Sequence, residues 1–174
     1  MGTVVDNADP EKLGRVRVSI PGLIGDEGSG WAFPLWPGAG GKQRGMFSPP
    51  PKGADVGILF HMGDIEHPYY LGGYPGREEA PDEAKDASSP EEAVKVFVYE
   101  TDRWKFLFDG RQGKQILQLK DKKTEDVIEI DGVNLGVRIK ATSAISIQCD
   151  GAVDIKGSAL TLNGRFVVPN GKPI

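Results

Sequence analysis

The 174-residue sequence contains one cysteine, Cys149, and no run of apolar residues long enough to cross a membrane as a helix. A single cysteine excludes an intrachain disulfide and any metal site built from several cysteines. A membrane-spanning helix needs about 18 or more consecutive apolar residues. The N-terminus has no signal-peptide pattern, so we expect synthesis in the cytoplasm and no use of the general secretory route.

Positive charge is also scarce. The formal net charge is −4 and the pI is about 5.3, with acidic and basic residues interspersed. Nucleic-acid-binding domains usually carry a basic stripe, so we predict no nucleic-acid partner. The two histidines, His61 and His67, lie close together and form no Ser/His/Asp or Cys/His pattern with residues elsewhere. We therefore predict that the chain is not an enzyme and binds no cofactor and no metal.

Glycine and proline, by contrast, are abundant, with 24 and 13 residues, while apolar residues make up only 39% of the chain. This composition favours many short strands joined by tight turns over helices. Residues 1–76 fit that expectation. Val16, Val18 and Ile20 alternate with polar residues, as in a strand with one buried face. Further strands are predicted at residues 3–5, 31–36, 56–62 and 69–73, with a turn at Gly63-Asp64. Five short strands with glycine-rich loops predict an N-terminal OB-fold barrel.

The rest of the chain divides into a linker and a repeat. Residues 77–92 combine charge, small residues and proline, which predicts a linker with at most one helical turn. Residues 93–174 begin with a predicted hairpin, strands 94–99 and 104–108. Pairs of apolar residues two positions apart then recur at Leu117/Leu119, Ile128/Ile130, Val137/Ile139, Ile145/Ile147, Val153/Ile155 and Leu160/Leu162. From Val137 onward the pairs are separated by eight, eight and seven residues.

So regular a repeat with so few apolar residues predicts a homotrimer. Burying the eight residues of the last four pairs would contribute about 12–24 kcal/mol. Ordering the backbone costs about 1–2 kcal/mol per residue, which is more over that span. Three chains around one axis supply the missing interior and cover the strand edges. We therefore predict an all-β chain with an intertwined triple-stranded β-helix after the barrel. The predicted trimer-interface residues are Val137, Ile139, Ile145, Ile147, Val153, Ile155, Leu160 and Leu162. The alternative is a single-chain solenoid, but its usual coil of about 18 residues would leave barely two turns here.

A specific set of residues in the first region is shared with a known family. In order, they are residues 2–5, Asp9-Pro10, residues 13–18, residues 21–23, Trp31, residues 36–40, Pro51, Gly53, Val56, Phe60, Gly63-Asp64, Pro68 and residues 71–73. In this region, residues 1–76, the chain resembles the phage baseplate assembly protein V family, related to the valine-glycine repeat spikes of type VI secretion. The repeat resembles the same family's β-helical prism through its spacing alone.

The resemblance implies a structural role. It predicts an OB-fold collar that seats on a trimeric hub protein, and a spike that contacts and pierces the target's outer membrane. The expected location is the tail baseplate of a virion assembled in the host cytoplasm, or a related contractile injection system. Residues 77–92 are too few for the lysozyme domain of some relatives, and the His-x-His iron site of many phage spike tips is absent. Residues 165–174 either cap the prism or receive a separate tip protein.

Three local features are also candidates for chemical sites. His61, Asp64, Glu66 and His67 could form a metal or acid–base site, although a polar hairpin turn explains them as well. Residues 38–45 fail the phosphate-loop pattern, since Trp36 and Gln43 stand where Gly and Ser or Thr are required. Cys149 continues the inward register of Ile145 and Ile147 as a small apolar residue.

The remaining alternatives concern the whole chain. Trp31, Phe33 and Trp36 could stack bases, which would make the protein an OB-fold module for single-stranded nucleic acid or oligosaccharide with an oligomerisation stalk. A β-solenoid enzyme such as an acyltransferase lacks its hexapeptide period here. Oligonucleotide binding with a steep salt dependence would favour the binding module.

The trimer predicts the outcome of one substitution. In Ile147→Asp, three carboxylates would meet in an apolar axis, so we expect assembly to be abolished. Light scattering measures the mass, and an intact trimer in this variant would contradict the predicted register.

Overall fold

The computed structural model describes residues 1–38, 41–42, 44–76, 78–163 and 165–166. The chain divides into two compact units, Met1–Ala87 and Ser88–Ile174. The sequence-based division at residues 76 and 92 stays a prediction. Of the residues singled out in the sequence, Ala39, Gly40, Gln43 and residues 167–174 lie outside the described part of the chain.

The first unit is a closed five-stranded barrel. Its strands are β1 (Gly2–Asp6), β2 (Arg17–Ser19), β3 (Phe33–Pro34), β4 (Asp55–His61) and β5 (Asp64–Gly73). They pair in the order β2-β1-β4-β5-β3, antiparallel except for the parallel pair β3–β5. A bridge between Val16 and Ala32, with N–H···O distances of 3.1 and 2.7 Å, joins the two ends of this order. The five strands predicted from the sequence are thus confirmed.

The barrel core follows from the alternation of β-branched residues. Val4, Val16, Val18 and Val56 are fully buried, and Tyr70 packs among them. The Tyr70 hydroxyl donates a 2.6 Å hydrogen bond to the Gly14 carbonyl. Because this end of the side chain is enclosed, burial raises the pKa of Tyr70 to about 12. One buried hydroxyl therefore fixes the loop before β2 to the core.

That loop is organised by Asp9. Its carboxylate accepts hydrogen bonds from the backbone N–H groups of Glu11, Leu13 and Arg15. It also forms an ion pair with the Arg15 side chain at 2.6 Å. The Arg15 guanidinium holds the pKa of Asp9 well below its usual range. Gly14 has φ of +79°, and a Cβ there would lie 2.3 Å from the Trp36 ring. Only glycine fits, so Asp9 and Gly14-Arg15 are structural requirements of the barrel.

The β4–β5 turn differs from the sequence prediction by one residue. His61 pairs with Asp64, so the turn residues are Met62 and Gly63, with φ of 51° and 83°. Positive φ at both central positions matches a type I′ hairpin turn. The prediction missed this because methionine seldom adopts a positive φ.

Two single helical turns, α1 (Asp82–Lys85) and α2 (Pro90–Ala93), lie in the region predicted as a linker with one turn. The Ser89 hydroxyl caps α2 by accepting the Glu92 N–H at 3.3 Å. Within the described residues, no helix has the length and apolar character needed to span a membrane.

The second unit is dominated by one antiparallel meander. It contains β6 (Val96–Glu100), β7 (Trp104–Asp109), β8 (Ile116–Asp121), β9 (Val127–Asp131) and β10 (Gly136–Lys140), each paired with the next. The predicted hairpin is confirmed as β6–β7, with Phe97 opposite Phe108. A short hairpin, β11 (Thr161–Leu162) and β12 (Arg165–Phe166), follows.

The structure of the apolar repeat changes at Lys140, where β10 ends. Its first three pairs, from Leu117/Leu119 to Val137/Ile139, lie in consecutive strands of one chain. Residues 141–160, all of them described, contain no strand. Strand structure around Ile145/Ile147 and Val153/Ile155 therefore stays a prediction, as does the intertwined β-helix.

Tyr70→Phe tests the anchor between the core and the loop. Removing the hydroxyl leaves the buried Gly14 carbonyl without this donor, so we expect the first unit to lose about 1–3 kcal/mol of stability. Hydrogen exchange of amides in residues 1–76 under increasing urea measures this. Tyr69→Phe, at the neighbouring half-buried position, is the matched control, and equal effects in both variants would contradict the assignment.

Candidate assembly interface

One face of the meander is apolar throughout. Side chains on this face form two rows that cross all five strands, since partners in register share a face. One row runs Phe97, Phe108, Leu117, Ile130 and Val137, and the other runs Tyr99, Phe106, Leu119, Ile128 and Ile139. We call these ten residues the apolar face. Phe106 and Phe108 contact edge to face, with centroids 5.0 Å apart.

The apolar face is uncovered in the single chain. Ile128, Ile130 and Ile139 are about half exposed, and Val137 is 72% exposed. Contiguous apolar surface of this extent on a soluble protein marks an interaction site. Each of these side chains would contribute about 1.5–3 kcal/mol if fully buried. The sheet therefore has a strong thermodynamic preference for a partner on this side.

The opposite face of the sheet is mixed in character and more buried. Leu107 and Val127 lie on it and are 7% and 6% exposed, and Glu129 is only 5% exposed. The Glu129 carboxylate accepts hydrogen bonds from Gln118 Nε2 at 2.6 Å and from Arg138, whose Nη2 lies at 2.7 Å. These contacts, chiefly that of Arg138, lower the pKa of Glu129. This face thus buries polar and apolar side chains together, whereas the apolar face is exposed in the single chain.

The eight predicted interface residues lie in two parts of the second unit. Val137 and Ile139 belong to the apolar face, and the other six follow β10 along the chain. All eight are exposed in the single chain. Exposure of this kind agrees with the predicted role, which stays a prediction because no partner chain is present to contact them.

An apolar cavity of about 330 Å³ marks one end of the apolar face. Its wall includes Trp104, Leu119 and Ile128 from the sheet and Ala144 and Ile145 from the segment after β10. The chain therefore returns towards its own sheet just after β10 ends. This arrangement connects the two sets of predicted interface residues.

The sequence analysis predicted only part of the apolar face. The predicted interface began at Val137, whereas the apolar face begins at Phe97, forty positions earlier in the chain. The same two-residue alternation in Phe97/Tyr99 and Phe106/Phe108 could have indicated it. In β8, β9 and β10 one polar residue stands between the two apolar residues of the pair. These polar residues are Gln118, Glu129 and Arg138, and the strand register brings them together.

The possible metal or acid–base site is a hairpin feature. Asp64 accepts the Glu66 backbone N–H at 3.0 Å and contacts His67 Nδ1 at 2.8 Å. The Glu66 N–H, followed by His67, lowers the pKa of Asp64. Among the residues that the structure describes, no three acidic, histidine or cysteine side chains are grouped to hold a metal ion.

The three barrel aromatics do not form one stacking surface. Trp36 packs edge-on against Tyr70 in the core, with centroids 6.3 Å apart. Trp31 and Phe33 flank the Arg15 guanidinium, which lies 5.7 and 5.4 Å from their ring centroids. Since Arg15 is itself paired with Asp9 and Glu11, its charge is already compensated within the barrel. Cys149, the remaining candidate, is exposed.

The first unit, then, is an all-β domain with the closed five-stranded barrel of OB folds. Residues 1–74 match the family model of the type VI secretion system/phage-baseplate injector OB domain. The resemblance inferred from the motifs in residues 1–76 is thereby confirmed, and with it a role related to a phage baseplate or injection spike. No curated protein matches the chain. The matched family is structural, and the lack of enzymatic activity stays a prediction.

Glu129→Gln tests the buried polar cluster. A carboxylate with a lowered pKa stabilises the fold above its unfolded pKa of about 4.5, and this contribution is lost as the pH falls through the folded value. We expect the variant to unfold at a lower temperature than the parent at pH 7 and the gap to narrow as the pH falls below about 4.5. Thermal unfolding over this pH range measures it. Glu125→Gln, which removes an exposed pair with Lys120, is the control. A gap independent of pH would contradict the assignment.

Proposed function

We propose that the chain is the structural central spike of a contractile phage tail baseplate or a related injection system. In this proposal the barrel is a collar that seats on a trimeric hub protein, and the second unit forms the shaft of a homotrimer. The shaft makes transient contact with the target's outer membrane and pierces it. Residues 165–174 either close the tip or receive a separate tip protein.

The observation that carries the proposal is the uncovered apolar face. Ten apolar side chains stand on one side of a single-layered sheet, and the described part of the chain supplies no second layer to cover them. Copies of the same chain are the natural cover, because an apolar surface of this kind packs against its own kind without leaving charges unpaired. The injector OB domain in residues 1–74 supports the baseplate setting.

The number of copies follows from the rest of the repeat. Two copies could cover the sheet face to face, but the segment after β10 would still expose Ile147, Val153 and Ile155. Three copies around an axis give both the sheet and this segment a common interior. The same arrangement supplies neighbouring strands for the backbone of residues 141–160. We therefore assign all eight predicted interface residues to the same trimer axis, Val137 and Ile139 as part of the apolar face and the other six as the part that follows β10.

The mechanism is mechanical. Contraction of a tail delivers an axial load, and a shaft of stacked strands transmits it through hydrogen-bonded ladders spaced about 4.8 Å apart. No chemical step is needed, in agreement with the hairpin role of Asp64 and His67. The compensated charge of Arg15 and the core position of Trp36 favour the spike over the nucleic-acid or oligosaccharide module.

Ile130→Glu tests the assembly. A carboxylate in the middle of the apolar face would be buried against two other copies, which costs several kcal/mol per ion. We expect the parent to scatter light as three times 18.8 kDa and the variant as a single chain. Lys120→Glu changes a residue on the opposite face, loses only the pair with Glu125, and should remain trimeric.

Other outcomes are equally informative. A monomeric parent at micromolar concentration would overturn the spike, and a dimeric parent would overturn the three-fold arrangement. A trimeric Ile130→Glu variant would show that the apolar face is not the interface. Salt-sensitive oligonucleotide binding by the parent would favour the nucleic-acid-binding module instead.

A further inference from the structure

The β4–β5 hairpin of the barrel presents apolar side chains to solvent where its two strands meet. Met62 is 94% exposed and Ile65 is 42% exposed. We call residues 61–67 the hairpin tip. The loop between the fourth and fifth strands is one of those through which OB folds bind their ligands. The position of the hairpin tip in the fold therefore favours contact with another molecule.

The turn itself does not account for a methionine at position 62. Met62 has φ of 51°, in the left-handed region that residues with a Cβ rarely adopt. Type I′ turns favour Asn-Gly, Asp-Gly or Gly-Gly at their two central positions, whereas this turn has Met62-Gly63. A side chain that is 94% exposed also adds nothing to the barrel core. A contact outside the barrel is the explanation that remains.

Asp64 shapes the strand that follows the turn. Three described residues of β5, 65–67, have no ladder partner on β4. The Asp64 carboxylate accepts the Glu66 N–H at 3.0 Å and lies 2.8 Å from His67 Nδ1, so it holds these residues in a bulge. The acidic and histidine side chains of the hairpin tip thus support a local structure in which Ile65 stands exposed next to the turn.

The charge beside these apolar residues limits the kind of partner. Asp64 and Glu66 are both exposed at the hairpin tip. A complementary surface has an apolar socket with basic groups at its rim. Another copy of this chain, with a net charge of −4, is a poorer complement, and nucleic acid or an anionic lipid surface would be repelled. A second protein fits best.

We propose that the hairpin tip is a docking element that inserts Met62 into an apolar, basic-rimmed socket of a second baseplate protein. Methionine suits this role because its flexible, polarizable side chain adapts to irregular apolar pockets. Ile65 and the two carboxylates contact the rim of the socket. This inference rests on the proposed baseplate role and names the barrel surface that would seat the collar.

Oxidation of Met62 tests whether the hairpin tip is covered. Peroxide converts exposed methionine to its sulfoxide, and mass spectrometry measures the rate at each methionine. The rate at Met62 is compared in the purified full chain and in assembled baseplate particles, with N-acetylmethionine added to both as the reference. We expect a rate close to the reference in the purified chain and one at least about tenfold slower in the particles, since oxidation follows exposure.

The other outcomes have distinct meanings. An equal rate at Met62 in chain and particles would overturn this inference and leave the baseplate role intact. Protection already present in the purified chain would also overturn it, because another copy and not a second protein would then cover the hairpin tip. Particles that do not contain the chain would overturn the proposed function itself.

Met62→Asn separates docking from folding. Asn-Gly is a favoured type I′ pair, so the variant should unfold at the same temperature as the parent or higher. Loss of the apolar anchor should reduce its incorporation into particles at least about tenfold, as expected for a central interface residue. Met46→Asn, at a half-exposed methionine before β4, is the matched control and should be incorporated like the parent. Mass spectrometry of particles assembled with each variant measures incorporation. Equal incorporation of the two variants would overturn the assignment of Met62.

Discussion

The second unit depends on one constraint, the strand register that places ten apolar side chains on one side of its five-stranded sheet. In the single chain this side is exposed, while Glu129 is buried on the other side with Gln118 and Arg138 as partners. A sheet is stable only when its apolar side is removed from water. The proposed assembly is therefore supported by the strand register alone, before any question of fold family arises.

The first unit satisfies its requirements alone. Its strands close through Val16 and Ala32, and its core is complete within one chain. The conspicuous motif residues serve this closure: Asp9 binds three backbone N–H groups and Arg15, and Gly14 makes room for Trp36 while its carbonyl accepts from Tyr70. The two units thus differ in kind: the first is a barrel with a complete core, and the second is a sheet with one apolar side exposed in the single chain.

Sequence reasoning reached the barrel because alternation reports which face of a strand is buried, and Val16, Val18 and Ile20 alternate clearly. It misplaced the β4–β5 turn because the positive φ of Met62 is imposed by the hairpin and has no signal in its side chain. It could not tell whether β8, β9 and β10 pair within one chain or between chains, since an apolar pair such as Ile128/Ile130 looks the same whichever chain supplies the next strand. The cluster of Gln118, Glu129 and Arg138 could not be predicted because these three residues are distant in sequence.

The order of the strands bears on how the second unit forms. In β6 to β10 each strand pairs with its neighbour in sequence, and such local contacts favour rapid folding. The sheet can therefore form within one chain before its apolar face meets another copy. Assembly of the proposed trimer would then bury a surface that is already in place, because folding of the sheet does not wait for the partner chains.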